Sequence, residues 1–135
     1  MKVSQRTEYG IRAMISLAGR YNDGPSSIKE IASGEGIPVA FLEQIMAELR
    51  RGGIVESQRG VNGGYKLSNS PDRTSVGTVV EILEGSLSPA RCESDCSKMP
   101  GCSTRTVLKK IEESITKTLD NIYLDELLKV GAHEQ

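Results

Sequence analysis

The chain has few of the residues from which stacking surfaces and catalytic pairs are usually built. Its 135 residues contain no tryptophan, one phenylalanine, four tyrosines and one histidine, His133. Because aromatic rings are so scarce, a stacking platform for single-stranded RNA is not expected. The chain also has no Cys-x-x-Cys pair, no histidine placed to partner a cysteine, and no phosphate-binding glycine loop ahead of a helix. The sequence therefore predicts a protein that is not an enzyme.

Long apolar runs are missing as well. No stretch of about 18 apolar residues suits a membrane-spanning helix, and the first residues, MKVSQR, lack the apolar core of a signal peptide. We therefore expect one cytoplasmic domain without a membrane partner. In a reducing compartment, clustered cysteines are more often ligands or redox sensors than structural disulfides.

The net charge of −1 neither predicts nor excludes a nucleic-acid partner. Residues 1–75 carry ten basic and eight acidic side chains, a balance of +2, whereas residues 76–135 carry seven and ten, a balance of −3. An excess this small arises by chance. Any case for DNA binding has to come from motifs.

Three helices are predicted in the first half of the chain. Apolar residues at helical spacing, beginning with Ile11 and Met14, predict a first helix over residues 7–21. Ser27, three residues before Glu30, forms the pattern of a capping box and starts a short second helix. Pro38 is suited to the first position of a third helix, which ends at the glycines that follow residue 51. Two helices joined by a tight glycine-containing turn are typical of a helix-turn-helix.

A β-hairpin is predicted directly after the third helix. The stretches IVESQ and YKLS favour strands, and Asn62-Gly63 between them supplies the positive φ values of a tight turn. A helix-turn-helix followed by a hairpin is a winged helix, a fold associated with duplex DNA. The predicted fold class is mostly α with a small β-hairpin wing, and residues 1–75 form the winged helix-turn-helix.

The second half of the chain is predicted to contain two helices around a cysteine loop. A helix over residues 75–84 is predicted to be followed by a loop at 85–103. Residues 76–103 therefore connect the winged helix-turn-helix to the C-terminal helix. A long C-terminal helix over residues 104–128 is predicted to belong to a dimerisation region at 104–131, with a frayed tail from Val130 onward. Its long apolar stripe favours pairing with a second copy of the chain. The alternative is packing onto its own domain, which does not need a helix of this length. The stripe consists of Leu108, Ile111, Ile115, Leu119 and Ile122.

Several stretches, taken in order, resemble one family. RTEYGIRAM, IPVAFLEQIMAELRRGGIVESQRGVNGGYKLS and the three-cysteine loop are similar to the Rrf family of winged-helix transcription regulators, and most of all to its iron–sulfur branch, the IscR-like and NsrR-like proteins. The resemblance covers residues 1–128. It implies a homodimer, a palindromic duplex DNA operator, and a bound cluster whose state sets DNA affinity or site preference.

The start of the third helix is the predicted base-reading surface. Gln44 is suited to adenine, Glu43 to the amino group of cytosine, and Ala40 to the methyl group of thymine. Phe41 lies in the same turn. Arg59 and Gly60 at the hairpin tip are predicted to enter a narrow A·T-rich minor groove. Predicted phosphate contacts complete the DNA surface and come from Arg50, Arg51, Ser27 and Lys29.

All three cysteines, Cys92, Cys96 and Cys102, fall within eleven residues. Thiolates suit zinc and iron–sulfur clusters, and the Cys-x3-Cys-x5-Cys spacing matches no common zinc module. The resemblance implies an iron–sulfur cluster, of the 2Fe-2S type in preference to 4Fe-4S. The familiar family spacing has five residues in both gaps, and the three-residue gap departs from it.

A cluster held by three cysteines needs a fourth ligand. Arg105 occupies the position at which IscR-like proteins have histidine, and arginine is not a ligand. NsrR-like proteins use an acid of the first helix, which implies Glu8. Asp95 ranks next, followed by His133 or a non-protein ligand. The resulting hypothesis is a cluster-controlled transcription regulator, a repressor of iron–sulfur assembly or related stress genes. The alternative is a winged-helix regulator that is switched by cysteine oxidation and has no cluster.

Overall fold

The computed structural model describes residues 3–85 and 103–133, with side chains as far as residue 129. The described part is mostly helical with one antiparallel hairpin, as the sequence predicts. In chain order the elements are α1 (Gln5–Gly19), α2 (Ile28–Glu35), α3 (Val39–Arg51), β1 (Val55–Gln58), β2 (Gly64–Leu67), α4 (Val76–Glu84), α5 (Ser103–Asp120) and α6 (Leu124–His133). No helix in these two ranges is long and apolar enough to cross a membrane.

Serine hydroxyls cap the beginnings of three helices, α1, α2 and α4. Ser27 accepts a hydrogen bond from the amide of Glu30 (3.1 Å) at the start of α2. The reciprocal half of the predicted capping box is replaced, because the Glu30 carboxylate pairs with Arg20 at 3.0 Å. Ser75 starts α4 by accepting from the amide of Thr78 (3.2 Å). Pro38 lies at the cap of α3, one position earlier than predicted.

The core lies where α3 packs against α1, α2 and α4. Leu42, Ile45 and Leu49 of α3 are completely buried, together with Met14 of α1 and Val79 of α4. Burial of one such side chain contributes about 1.5–3 kcal/mol. This cluster therefore fixes which side of α3 is buried.

The hairpin turn differs from the prediction. β1 pairs with β2 so that Val55 faces Leu67 and Gln58 faces Gly64, which leaves a five-residue loop at 59–63. The positive φ values fall at Gly60 (112°) and Gly64 (148°), and no described residue other than glycine has a positive φ. The assignment to Asn62-Gly63 was therefore wrong, because the register produces a longer loop than a two-residue turn.

The hairpin is joined to the segment that precedes α2. The amide of Ser26 donates to the carbonyl of Tyr65 (2.9 Å), and the amide of Tyr65 donates to the carbonyl of Ser26 (2.8 Å). A Cβ atom on Gly64 would lie 2.2 Å from the carbonyl oxygen of Ser26, so only glycine permits this approach. The wing and the helix-turn-helix are consequently connected as one unit.

The predicted C-terminal helix is broken into α5 and α6, so the expectation of one continuous helix was wrong. At the break the backbone pairs with the start of α4: the amide of Val76 donates to Ile122 (2.8 Å), and the amide of Leu124 donates to Thr74 (3.0 Å). The side-chain amide of Asn121 donates to the carbonyl of Lys117 (2.7 Å) and occupies an acceptor at the end of α5. The predicted frayed tail is also wrong as far as residue 133, since α6 ends at His133.

The break divides the predicted dimerisation stripe. Leu119 and Ile122 pack against the core of their own chain. Leu108 and Ile115 are half-buried, while Ile111 is exposed at 38%. Val107 beside them is exposed at 56%. The unsatisfied apolar surface is therefore concentrated in the N-terminal two-thirds of α5.

Candidate nucleic-acid interface and sensor site

The predicted base-reading residues lie on the outer face of α3. Ala40, Glu43 and Gln44 are exposed, whereas the neighbouring Leu42 and Ile45 are buried. The core therefore fixes which side of α3 faces outward. Carboxylate and amide groups on that side are free to meet the edges of bases.

Phe41 has a different environment from the other residues of this turn. Its ring is half-buried and lies edge-to-face on Tyr9 of α1, with centroids 5.6 Å apart and an interplanar angle of 81°. Much of the ring is therefore used to join α3 to α1. Contact between Phe41 and DNA stays a prediction.

The hairpin tip presents one cation on a small, exposed loop. Arg59 and Gly60 are both exposed, and Val61 beside them is fully exposed. Among the described residues, no ion pair involves Arg59. A guanidinium with little bulk around it is suited to a narrow groove of strong negative potential.

The residues predicted to contact phosphates differ in the contacts that they already make within the chain. Arg50 and Lys29 are exposed cations. Arg51 lies 4.0 Å from Glu48, whose carboxylate also pairs with Arg6 of α1. The hydroxyl of Ser27 accepts the capping hydrogen bond of α2, and its own proton remains available to a phosphate.

The predicted cluster site lies only partly within the described residues. Cys92, Cys96, Cys102 and Asp95 all fall outside 3–85 and 103–133, as does most of the segment predicted to be a loop. Glu8 is exposed in the first turn of α1, and its carboxylate forms no hydrogen bond or ion pair with the described residues. His133 is the last residue of α6. Within the two described ranges, no group of three potential metal ligands occurs.

Glu84 connects the base of the cysteine loop to the start of α1. It is the last residue of α4, and its carboxylate accepts a hydrogen bond from the amide of Ser4 (2.7 Å). Ser4 also caps α1 by accepting from the amide of Thr7 (3.2 Å). This contact places the turn that carries Glu8 beside the point where the chain leaves α4.

Sequence reasoning did not find the Ser4–Glu84 contact. Ser4-x-x-Thr7 was available as a capping signal, but its partner is 80 residues away. The pKa of Glu84 is lowered, first by hydrogen bonding from the Ser4 hydroxyl and then by the Ser4 amide, the Thr7 hydroxyl and the charge of Arg6. Partial burial opposes the shift.

A recognition helix with an outward polar face, a tight preceding turn and an attached hairpin define a winged helix-turn-helix DNA-binding protein. The family model described as "Rrf2: Iron-dependent Transcriptional regulator" matches residues 3–130. The chain belongs to the Rrf2 family of transcriptional regulators.

The named relatives in this family include CymR and IscR proteins. The chain is 35% identical to the HTH-type transcriptional regulator CymR of Bacillus subtilis, over 100% of this chain and 95% of that protein. It is 34% identical to the HTH-type transcriptional regulator IscR of Pectobacterium carotovorum, over 95% of this chain and 79% of that protein.

CymR and IscR proteins also occur among solved structures. T. potens IscR superimposes with a TM-score of 0.84 at 38% identity and covers 100% of this chain and 91% of its own. CymR of B. subtilis, described as the global cysteine regulator, has a TM-score of 0.82 at 33% identity, with 96% and 98% covered. The predicted family and the predicted fold class are confirmed.

The Ser4–Glu84 contact predicts a stability difference that depends on pH. Because the folded-state pKa of Glu84 is lowered, its stabilising effect is present above the ordinary value of 4.5 and is lost as the pH falls through the lower folded value. Glu84→Gln is therefore expected to be less stable than wild type at neutral pH and nearly equal to it in acid. Urea unfolding across this range measures the difference.

The matched control is Glu81→Gln, one turn earlier on the exposed side of α4. It should show no such convergence. A Glu84→Gln difference that stays constant down to acid pH would contradict the assignment.

Proposed function

We propose that this protein is a transcriptional repressor whose DNA binding is controlled by an iron–sulfur cluster, held by Cys92, Cys96, Cys102 and Glu8. The observation that carries the proposal is that Glu8 has no partner among the described residues and lies in the first turn of α1, whose capping residue Ser4 contacts Glu84 at the end of α4. The iron-dependent description of the family supports it.

The donor set fits the chemistry of such a cluster. Three thiolates are soft ligands that favour iron–sulfur centres, and a carboxylate completes four-fold ligation with weaker binding. A bound 2Fe-2S cluster would supply a structural link between the cysteine loop and α1, and 4Fe-4S is the second choice. The loop runs from the end of α4 to the start of α5, so gain or loss of this link would act on both helices.

Thiol oxidation is the second candidate. It is favoured by the similarity to CymR of B. subtilis and by the 0.77 TM-score, at 32% identity, of an oxidised form of Staphylococcus aureus CymR. In this version two of the three cysteine thiols reduce a peroxide to water and alcohol and become one disulfide. The third thiol would remain free.

Iron and acid-labile sulfide content separates the two candidates. Protein purified without oxygen is expected to be coloured and to contain both elements, and the iron count per chain distinguishes two-iron from four-iron clusters. Glu8→Ala should shorten the lifetime of the absorption in air, since one ligand is lost. Glu126→Ala, an exposed acid of α6, is the matched control.

Two results would count against this assignment. A colourless protein without iron or sulfide after anaerobic reconstitution would leave the thiol switch as the mechanism. A Glu8→Ala cluster with unchanged spectrum and lifetime would remove Glu8 from the ligand set.

We infer distinct roles for the exposed residues of the interface. Ala40, Glu43 and Gln44 read bases in the major groove, and Arg59 with Gly60 enters the adjacent minor groove. Arg50, Arg51, Ser27 and Lys29 bind phosphates. All of these residues except the half-buried Ser27 are exposed, and their arrangement around α3 and the hairpin tip supports this division.

Base contacts and phosphate contacts are distinguished by substitution. Gln44→Ala should lower affinity for a duplex selected by the wild type about tenfold, with little change on a scrambled duplex. Arg50→Ala should weaken both and reduce the salt slope by about one. Fluorescence anisotropy at several salt concentrations measures this, with Lys129→Ala of α6 as control. Equal losses for Gln44→Ala on both duplexes would refute base reading.

A symmetric dimer through α5 is also proposed. Leu108, Ile111 and Ile115, with Val107 beside them, form an apolar surface that the described core does not cover. Leu119 and Ile122, predicted to join the same interface, contribute less because they pack within their own chain. Two copies together would also supply the two recognition helices that the half-sites of a palindromic operator require.

The oligomeric state tests the α5 interface. Ile111→Glu is expected to shift a dimer to monomer in sedimentation velocity, because a carboxylate would be buried at the centre of the apolar surface. Val61→Glu places the same charge on the fully exposed hairpin tip and should remain dimeric. If Ile111→Glu sediments as the wild type does, α5 is not the interface.

The cellular role follows from the same proposals. We propose a cytoplasmic protein without catalytic activity that acts on iron–sulfur assembly or related stress genes. Its relatives carry names of transcriptional regulators, which supports this role.

A further inference from the structure

Arg12 links α1 to the turn between the two helices of the helix-turn-helix. Its guanidinium donates a hydrogen bond to the backbone carbonyl of Glu35, and its Nε lies 3.7 Å from the Glu35 carboxylate. The same guanidinium lies over the ring of Tyr9, 5.5 Å from the centroid. One side chain therefore contacts a backbone acceptor, a carboxylate and an aromatic face.

Glu35 is the last residue of α2, where the chain changes direction. Gly36 follows it with φ of 67°, and Pro38 comes just before α3. Carbonyls at a helix C-terminus lack intrahelical partners and carry partial negative charge, so a cation there is favourable. Arg12 satisfies one of these carbonyls at the point that sets the angle between α2 and α3.

Tyr9 extends the same connection into the recognition helix. Its ring contacts Arg12 on the one hand and the ring of Phe41 on the other, at 5.6 Å and 81°. The side-chain amide of Gln5 donates to the hydroxyl of Tyr9 (3.0 Å). Through Arg12 and Tyr9, α1 thus contacts both the connection between α2 and α3 and the first helical turn of α3.

We propose that Arg12 is a positioning residue for base recognition, which sets the orientation of α3 without touching DNA. This inference rests on the proposed function as a sequence-specific DNA-binding regulator. Base contacts require side chains held within about 0.5 Å of their working positions by a supporting shell. Ala40, Glu43 and Gln44 lie in the turn of α3 that begins beside this contact, so a looser setting displaces all three together.

The role calls for arginine in particular. A guanidinium stacks on an aromatic ring with its plane while its edge donates several hydrogen bonds, which a lysine ammonium does not reproduce. The side chain of Arg12 is 40% exposed, so its ion pair with Glu35 contributes little to stability. Substitution should therefore leave the fold intact while altering the setting of α3.

The positioning role of Arg12 is tested by comparing Arg12→Gln with Arg20→Gln. Arg20 caps the end of α1 and pairs with α2 through Glu30 at 3.0 Å, but Glu30 lies in the first turn of α2, at the opposite end of that helix from Glu35. The probes are a palindromic duplex selected by the wild type from a random pool and a scrambled duplex of the same length. Affinity for each duplex, its salt slope and the thermal unfolding midpoint are measured.

Arg12→Gln is expected to reduce the ratio of selected to scrambled affinity about tenfold, the size of one lost base contact. The scrambled affinity, the salt slope and the unfolding midpoint should remain close to wild type, and Arg20→Gln should keep the full ratio. Arg12→Lys should restore only part of the ratio. Tyr9→Leu removes the ring between Arg12 and Phe41. It should reduce the ratio of selected to scrambled affinity as Arg12→Gln does.

Three outcomes would overturn the inference. An unchanged ratio in a folded Arg12→Gln protein shows that the contact does not position α3. Equal losses on both duplexes with a smaller salt slope show that Arg12 binds phosphate directly. If Arg12→Gln does not fold, an unchanged ratio in Tyr9→Leu is decisive. A wild type that selects no duplex refutes the proposed function itself, which is a separate result.

Discussion

The burial of one face of α3 is the constraint on which the other features of the interface depend. Leu42, Ile45 and Leu49 are removed from water against α1 and α4, and their spacing leaves Glu43 and Gln44 on the outer side. Rotation of the helix about its axis would expose those three apolar side chains, at a cost of about 2 kcal/mol for each. The polar face is thus oriented by groups that never approach a ligand.

Local signals in the sequence predicted the winged helix because each acts within a few residues. The capping residue Ser27, the glycines that end α3 and the helical spacing of the apolar residues all operate over one or two turns. The outward position of Glu43 and Gln44 follows from the same periodicity. Those parts of the candidate site were therefore predictable.

What the sequence did not predict depends on partners that are distant along the chain. The hairpin turn was misassigned because β2 pairs not only with β1 but also, through Tyr65, with the distant Ser26, and Gly64 instead of Gly63 takes the positive φ. The break after Asp120 arises from backbone pairing with the residues around Ser75, and the apolar spacing runs through it without interruption. The Glu84–Ser4 contact and the hold of Arg12 on Glu35 likewise join residues that only the fold brings together.

The backbone pairing of residues 74–76 with residues 122–124 makes the C-terminal end of α5 a fixed point about which the helix can tilt. Its C-terminal end is fastened to the start of α4, while its other end, at Ser103, continues from the cysteine loop. The 18 residues of α5 span about 27 Å, so a tilt of roughly ten degrees about the fastened end moves Ser103 by about 5 Å. Conversely, a displacement of Ser103 by a few ångströms turns the opposite end of α5 by no more than roughly ten degrees. A large movement at Ser103 therefore corresponds to a small rotation beside α4.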